Sequence, residues 1–319
     1  MRTLRSLLGV STLLSACIAF TASAQGAPRN ASAGSLPARG EDPAGSTRLL
    51  RTPTVSANHI AFAYAGNIWI VARTGGDARR LTSFPGEASN PQISPDGNTV
   101  AFSGQYGGNT DVYTVPARGG EPKRLTWHPG ADQVQGWMPD GRSIVFASSR
   151  ATHAPTGAPR FWTVPTNGGV EEPMPMPRAF QGKISPDGRF VAYRMPSSWD
   201  EERRNYRGGQ NKAIWIMDLK SYDVVQTPWK DQTKEIDPAW VGSSVYWISD
   251  RDGVANVYGF DPATKAIRQL TKFTDFDVKA LDGGANALVF EQAGYVHEMD
   301  PATGRSKVVS ITATGDFPW

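Results

Sequence analysis

Asn90-Pro91-Gln92-Ile93-Ser94-Pro95-Asp96-Gly97-Asn98-Thr99-Val100-Ala101-Phe102 opens a stretch, residues 90–126, that parses as four short strands. Ile93 ends the first. Pro95-Asp96-Gly97 then makes a tight turn, because proline presets φ, aspartate bonds the backbone and glycine accepts φ > 0. Thr99-Val100-Ala101-Phe102 is the second strand. After a Gly-rich break at residues 104–109 come a third, Asp111-Val112-Tyr113-Thr114-Val115, and a short, polar-edged fourth, Lys123-Arg124-Leu125-Thr126. A lone sheet of this size cannot bury both faces, so the pattern predicts copies of itself.

Six copies share that register. The second-strand aromatic recurs as Phe62, Phe102, Phe146, Tyr193, Trp247 and Phe290, at spacings of 40 to 54 residues, the period of propeller blades. The turn before it is Ser94-Pro95-Asp96-Gly97, Met138-Pro139-Asp140-Gly141 and Ser185-Pro186-Asp187-Gly188, shortened or altered in the other copies. Third strands carry Trp69, Tyr113, Trp162, Trp215, Tyr258 and His297 at one position. Fourth strands close with Arg80-Leu81-Thr82, Arg124-Leu125-Thr126 and Gln269-Leu270-Thr271, and are weaker in the third, fourth and sixth copies. Runs such as Ser143-Ile144-Val145-Phe146-Ala147 break the alternation of a one-faced sheet. Blades packed face to face around an axis bury both faces and leave only short edges. Pro173, Pro175 and Pro177 fall where the third blade's outermost strand belongs, a place that tolerates a missing N–H. The expected fold is all-β: a six-bladed β-propeller of four-stranded antiparallel blades over residues 48–311, with residues 312–319 beginning a connection onward.

Ahead of the propeller, residues 1–24 read as a secretory signal: Arg2 and Arg5, an apolar run, then Ala22-Ser23-Ala24 as a cleavage site. Ser11, Thr12 and Ser15 interrupt that run, which is too short for a membrane span. Leu14-Ser15-Ala16-Cys17 offers an alternative, a lipid anchor on Cys17, against which Ile18-Ala19-Phe20 continues the apolar segment past the cysteine. The expectation is export to the periplasm or beyond. Residues 25–47, rich in Ala, Gly, Ser and Pro, form a flexible linker.

With 39% hydrophobic and 20% charged residues, 33 Gly and 24 Pro, the composition is globular and turn-rich. The net charge of +3 falls to +1 without Arg2 and Arg5, so nothing argues for nucleic acid or an anionic membrane as partner. The single cysteine lies in the leader, so no disulfide framework supports the fold.

No nucleophile, metal or nucleotide motif is recognisable, and no cofactor is implied. His297 holds the register position of the third-strand aromatics and reads as packing, as do Trp69, Trp162, Trp215 and Trp247. Asp250-Arg251-Asp252-Gly253 lacks the spaced oxygens of a calcium loop and reads as a hairpin turn. Two insertions depart from the template. Residues 151–159 read as a plain loop. Residues 197–212 are longer and carry Arg203, Arg204, Tyr206 and Arg207, the candidate residues for contact with a partner domain.

Tyr206-Arg207-Gly208-Gly209 before Ala213-Ile214-Trp215-Ile216, Asp237-Pro238-Ala239-Trp240 leading into Ser249-Asp250-Arg251-Asp252-Gly253, and Arg268-Gln269-Leu270-Thr271 followed by Phe276-Asp277-Val278-Lys279 form a more specific succession. It resembles the N-terminal six-bladed propeller of tricorn-type proteases, in their exported bacterial branch. The Ser-Pro-Asp-Gly turns alone are shared with the propellers of the Tol system's periplasmic protein and of prolyl peptidases. The resemblance implies a non-catalytic part of a peptide-degrading serine peptidase, a toroidal gate or exit channel for short peptides and a docking surface for the peptidase core domains. It carries no catalytic residue onto this chain. It leaves room for a homo-oligomer. Gly315-Asp316-Phe317-Pro318 resembles the family's run into a second propeller, which implies a chain cut within a longer protein. The alternative is a standalone binding module of the cell envelope.

Overall fold

The computed structural model describes residues 45–151, 157–195 and 205–315. The signal segment, most of the linker, Arg203, Arg204 and residues 316–319 lie outside the described residues.

Each of the six repeats forms a four-stranded antiparallel sheet from one contiguous stretch of chain. Blade two, the repeat first read from sequence, comprises Glu87–Ile93, Thr99–Gln105, Asp111–Pro116 and Lys123–Arg124. The first strands of successive blades touch one another in order, and that of the sixth touches that of the first, so they ring a central axis. They are Arg51–Val55, Glu87–Ile93, Asp132–Trp137, Gly182–Ile184, Glu235–Val241 and Lys279–Gly284.

Packing follows the repeat. The second-strand aromatics face the third-strand residues in every blade: Phe62 opposite Trp69, Phe102 opposite Tyr113, Phe146 opposite Trp162, Tyr193 opposite Trp215, Trp247 opposite Tyr258 and Phe290 opposite His297. Buried apolar residues gather into six clusters, each drawing on two neighbouring blades. The first and second blades share one built on Ile68, Ile70, Val100 and Phe102. Propeller stability therefore lives between blades, the arrangement expected of sheets that need cover on both faces.

The Leu-Thr ending of the fourth strands has a defined task. The leucine is buried, as at Leu81 and Leu125. The threonine hydroxyl accepts a third-strand N–H: Ile68 to Thr82 at 2.9 Å, Val112 to Thr126 at 3.0 Å, and Val257 to Thr271 at 2.8 Å. The fourth blade, without the leucine, repeats the bond from Ile214 to Thr227 at 3.2 Å. Weakly marked fourth strands form as well, at Glu172–Pro173, Val224–Gln226 and Ser306–Val308. Pro173 lies on the outermost strand of its blade, where its missing N–H costs no ladder bond.

A strand beyond the sixth blade helps close the ring. Ile311–Ala313 runs parallel to Gly76–Arg80 on the outer edge of blade one. The chain's start is sewn to the same seam: Thr47 N–H donates to the Ile311 carbonyl at 2.7 Å, and Ala313 N–H to Thr47 Oγ1 at 2.8 Å. Leu49 N–H reaches Gly294 O in blade six at 2.8 Å. Gly75, at φ 91°, is required here because a Cβ would run into the Ser310 carbonyl.

Candidate functional site: the axial channel

The ring of first strands encloses two cavities, each of about 410 Å³, which meet at Gln92, Gly182, Lys183 and Asp282. One opens among the turn residues Pro95, Pro139 and Pro186. The other is walled by carboxamides, those of Asn90, Gln133, Gln135 and Gln181, together with Thr52 and Asp237. Among the described residues lining the two cavities, Lys183, Asp237 and Asp282 are the ionisable ones.

Backbone geometry sets this wall. In blades one, two, five and six the first strand carries a two-residue register break, spanning Arg51/Thr54, Ser89/Gln92, Ile236/Ala239 and Lys279/Asp282, whereas blade three skips Gln135 alone. Inside these breaks Thr52, Asn90, Asp237 and Ala280 take φ of 47°, 49°, 51° and 47°. A bulge bends a strand and re-aims its side chains, and left-handed backbone in non-glycine residues is strained. The strain recurs at one level of the channel wall, and all four residues line the carboxamide cavity.

One register level forms the waist. Thr54, Gln92, Gly136, Lys183, Ala239 and Asp282 all sit opposite the residue that precedes the second-strand aromatic. The even blades supply the long polar side chains and the odd blades the small residues. Lys183 Nζ lies 3.0 Å from Asp282 Oδ1 and hydrogen-bonds Gln92 Oε1. A Cβ on Gly136 would already touch Lys183 Cδ at 3.5 Å, so a longer side chain there would occupy the lysine's path. Trp137 Nε1 donates to the Gln92 carbonyl at 2.9 Å and Trp240 Nε1 to the Lys183 carbonyl at 3.1 Å, bracing the strands that carry the bar.

Buried charges elsewhere serve the blades themselves. In blade five Arg251 reaches both oxygens of Glu235, at 3.0 and 3.1 Å, and lies over Tyr258 and Trp247. Thr233 and Ser249 donate to Glu235 Oε1 at 2.6 and 2.8 Å. Burial pushes the Glu235 carboxyl up to about 7, against the downward pull of Arg251. Blade three repeats the device: Arg150 pairs with Asp132 at 2.5 Å and lies over Phe146 and Trp162. Acid, serine and arginine hold the same places in both blades, with Ser148 opposite Asp132 and Ser249 opposite Glu235. This recurrence marks them as clamps that tie the first strand to the aromatic pair.

Of the candidate partner-contact residues, Tyr206 and Arg207 are described. Arg207 is engaged inside the chain, donating to Asp250 Oδ2 at 2.8 Å and to the Asp250 carbonyl at 2.9 Å. Asn211 Nδ2 donates to the carbonyls of Tyr206 and Gln232, which fastens the end of the insertion to blade five's entry. Asp250-Arg251-Asp252-Gly253 is a turn with Gly253 at φ 96°. Its side chains hold Arg207, Glu235 and Tyr258. His297 stacks on Phe290 with centroids 5.1 Å apart, and burial pulls its imidazole down to about 4. Trp69 and Trp247 are fully packed, while Trp162 and Trp215 are half-buried. The waist residues Gln92, Lys183 and Asp282 were not singled out from sequence. Aligning Gln92-Ile93-Ser94-Pro95-Asp96-Gly97 with Lys183-Ile184-Ser185-Pro186-Asp187-Gly188 places a long polar residue at an inward register and would have found two of them.

Comparison with known proteins agrees with this architecture. Residues 47–305 match the tricorn protease N-terminal β-propeller domain. A tricorn protease homologue of Saccharolobus solfataricus is 29% identical over 260 residues, covering 78% of this chain and 23% of the relative. A second homologue, from Streptomyces coelicolor, is 26% identical over 80% of this chain and 24% of its own length. The chain thus spans about a quarter of the curated relatives it matches. Among solved structures, the crystal structure of the tricorn protease superposes with a TM-score of 0.73 at 24% identity, over 84% of this chain and 27% of that one. TolB from Acinetobacter baumannii follows the same fold at a TM-score of 0.56 and 20% identity, over 69% of this chain and 53% of that one. A family match over most of the chain, on a six-bladed ring closed around its axis, establishes that this protein belongs to the tricorn protease N-terminal β-propeller domain family.

Proposed function

We propose that this propeller is the non-catalytic peptide gate, or exit channel, of an exported tricorn-like serine peptidase, and that its outer surface docks the peptidase core domains. The supporting observation is the axial channel of a tricorn-family propeller, walled by carboxamides with three ionisable side chains. Carboxamides offer both donors and acceptors. Such a wall suits the peptide main chain, whose groups are the same whatever the sequence. Three ionisable groups make a weak field, which admits peptides of either charge.

The chain alone is expected to leave fluorogenic peptides intact; turnover that survives stringent purification would contradict its non-catalytic role. Reading the gene beyond the codon for Trp319 separates a peptidase component from an envelope binding module. An open frame running into further propeller and peptidase domains fits the first, and a stop codon the second. Export is checked by sequencing the mature amino terminus. Gln25 is expected there, whereas palmitate on Cys17 would mean a lipid anchor.

A further inference from the structure

We propose that Lys183, Gln92 and Asp282 form a bolt that closes the axial channel at its waist, and that an extended polypeptide draws the bolt by offering its own main-chain groups to Lys183 and Asp282. The second half rests on the peptide-passage function proposed above.

Closure follows from the ring. Blades two, four and six alternate with the others, so their three waist positions surround the axis. A side chain from blade four that touches partners on both blades two and six crosses that axis, and Lys183 does so. Blades one and three leave room for it with Thr54 and Gly136, which line the same cavity. The two cavities therefore end against the same bar from opposite sides.

The bar is also withdrawn from water, with side-chain exposures of 18% for Lys183 and 8% for Asp282. Separating such a pair strands two poorly solvated charges, which is costly unless other groups replace the lost partners. A peptide main chain carries both replacements: carbonyl oxygens for the ammonium, and N–H groups for the carboxylate and the Gln92 amide oxygen. Lysine suits the moving part, because its charge sits on a flexible four-carbon stem with three rotatable donors. The neighbouring carboxamides of Asn90, Gln133 and Gln181 can hold the same main chain without regard to its side chains.

The test uses the full chain. Amine acetylation at Lys183 is timed by mass spectrometry against Lys230 and Lys307, whose side chains are 72% and 67% exposed. In the native protein Lys183 is expected to react about tenfold more slowly than these two, and the Asp282→Asn and Gln92→Ala variants to react severalfold faster than native. Circular dichroism establishes that each variant is folded, and either one suffices. Native Lys183 reacting as fast as Lys230, or a folded variant with an unchanged rate, overturns the bolt. Binding of a fluorescein-labelled, lysine-free, unstructured peptide tests the second half. Asp282→Asn should bind it severalfold more tightly than native, and Lys183→Met more weakly than Asp282→Asn. No binding to any form, with Lys183 slow in the native chain and faster in a variant, would overturn the peptide as the agent and the passage function with it, while supporting the closure.

Discussion

At the scale of single residues, two buried titratable groups act on stability with opposite signs. The His297 imidazole titrates at about 4 rather than its ordinary 6.5, so the unfolded chain binds more protons between those values. His297 therefore contributes stability that is present above pH 6.5 and lost as pH falls through about 4. Glu235 is raised from 4.5 to about 7, so its contribution is present below pH 4.5 and lost as pH rises through about 7. His297→Phe keeps a ring against Phe290 and removes the first effect. Urea titrations between pH 4 and 7 should show the variant losing less stability on acidification than the native chain; an identical dependence would mean that His297 is not held neutral. Arg251→Met leaves Glu235 buried without its cation and should cost about 3–5 kcal/mol, measured by the same titrations. A loss within about 0.5 kcal/mol would show that Arg251 behaves like an exposed surface charge instead.

At the scale of the element, the fourth-strand threonine illustrates what a repeat encodes. Thr126 accepts the Val112 N–H, so Thr126→Val leaves that buried donor without a partner and should cost about 1–3 kcal/mol in equilibrium unfolding. An unchanged midpoint would show that the bond contributes nothing. The closing seam is the other element with a specific liability. Gly75→Ala drives a Cβ into the Ser310 carbonyl and should detach Ile311–Ala313 from blade one. Amide exchange at Gly76, which donates to the Ser310 carbonyl at 2.8 Å, would then rise toward that of an open edge. Protection equal to the native chain's would mean that the seam tolerates the added carbon.

These elements also show what the sequence could express. The blade register was legible because aromatic pairs, Ser-Pro-Asp-Gly turns and Leu-Thr endings recur at fixed offsets, each answering a local requirement. Ser94 Oγ, for instance, donates to Asp96 Oδ1 at 2.5 Å while accepting the Thr99 N–H at 3.0 Å, all within one turn. The parallel pairing of Ile311–Ala313 was not legible, because a three-residue strand joined to a distant edge leaves no periodic trace. Nor was the waist. Gln92, Lys183 and Asp282 are far apart in the chain, and only ring closure brings them together. Arg207, a candidate for contact with a partner domain, has a hydrogen-bonding partner inside the chain, Asp250 of the next blade, and that pairing too arises only once the blades are brought together.

At the scale of the whole molecule, six complete blades surround a channel whose walls are more polar than charged, in a chain that belongs to a peptidase-associated propeller family. The interblade clusters make the ring a scaffold, the strained first strands present Thr52, Asn90, Asp237 and Ala280 to its channel, and the first-strand segments of blades three and four add the carboxamides of Gln133, Gln135 and Gln181. Photo-crosslinking tests most directly whether that axis is where peptides go. An unstructured peptide with a central benzophenone residue would be irradiated with the native chain and the adducts mapped by mass spectrometry. Adducts are expected on the channel-lining segments 90–92, 133–136, 181–183 and 237–242. Adducts confined to outer strands such as Gly76–Arg80 and Lys123–Arg124, or none at saturating peptide, would contradict a peptide-conducting channel.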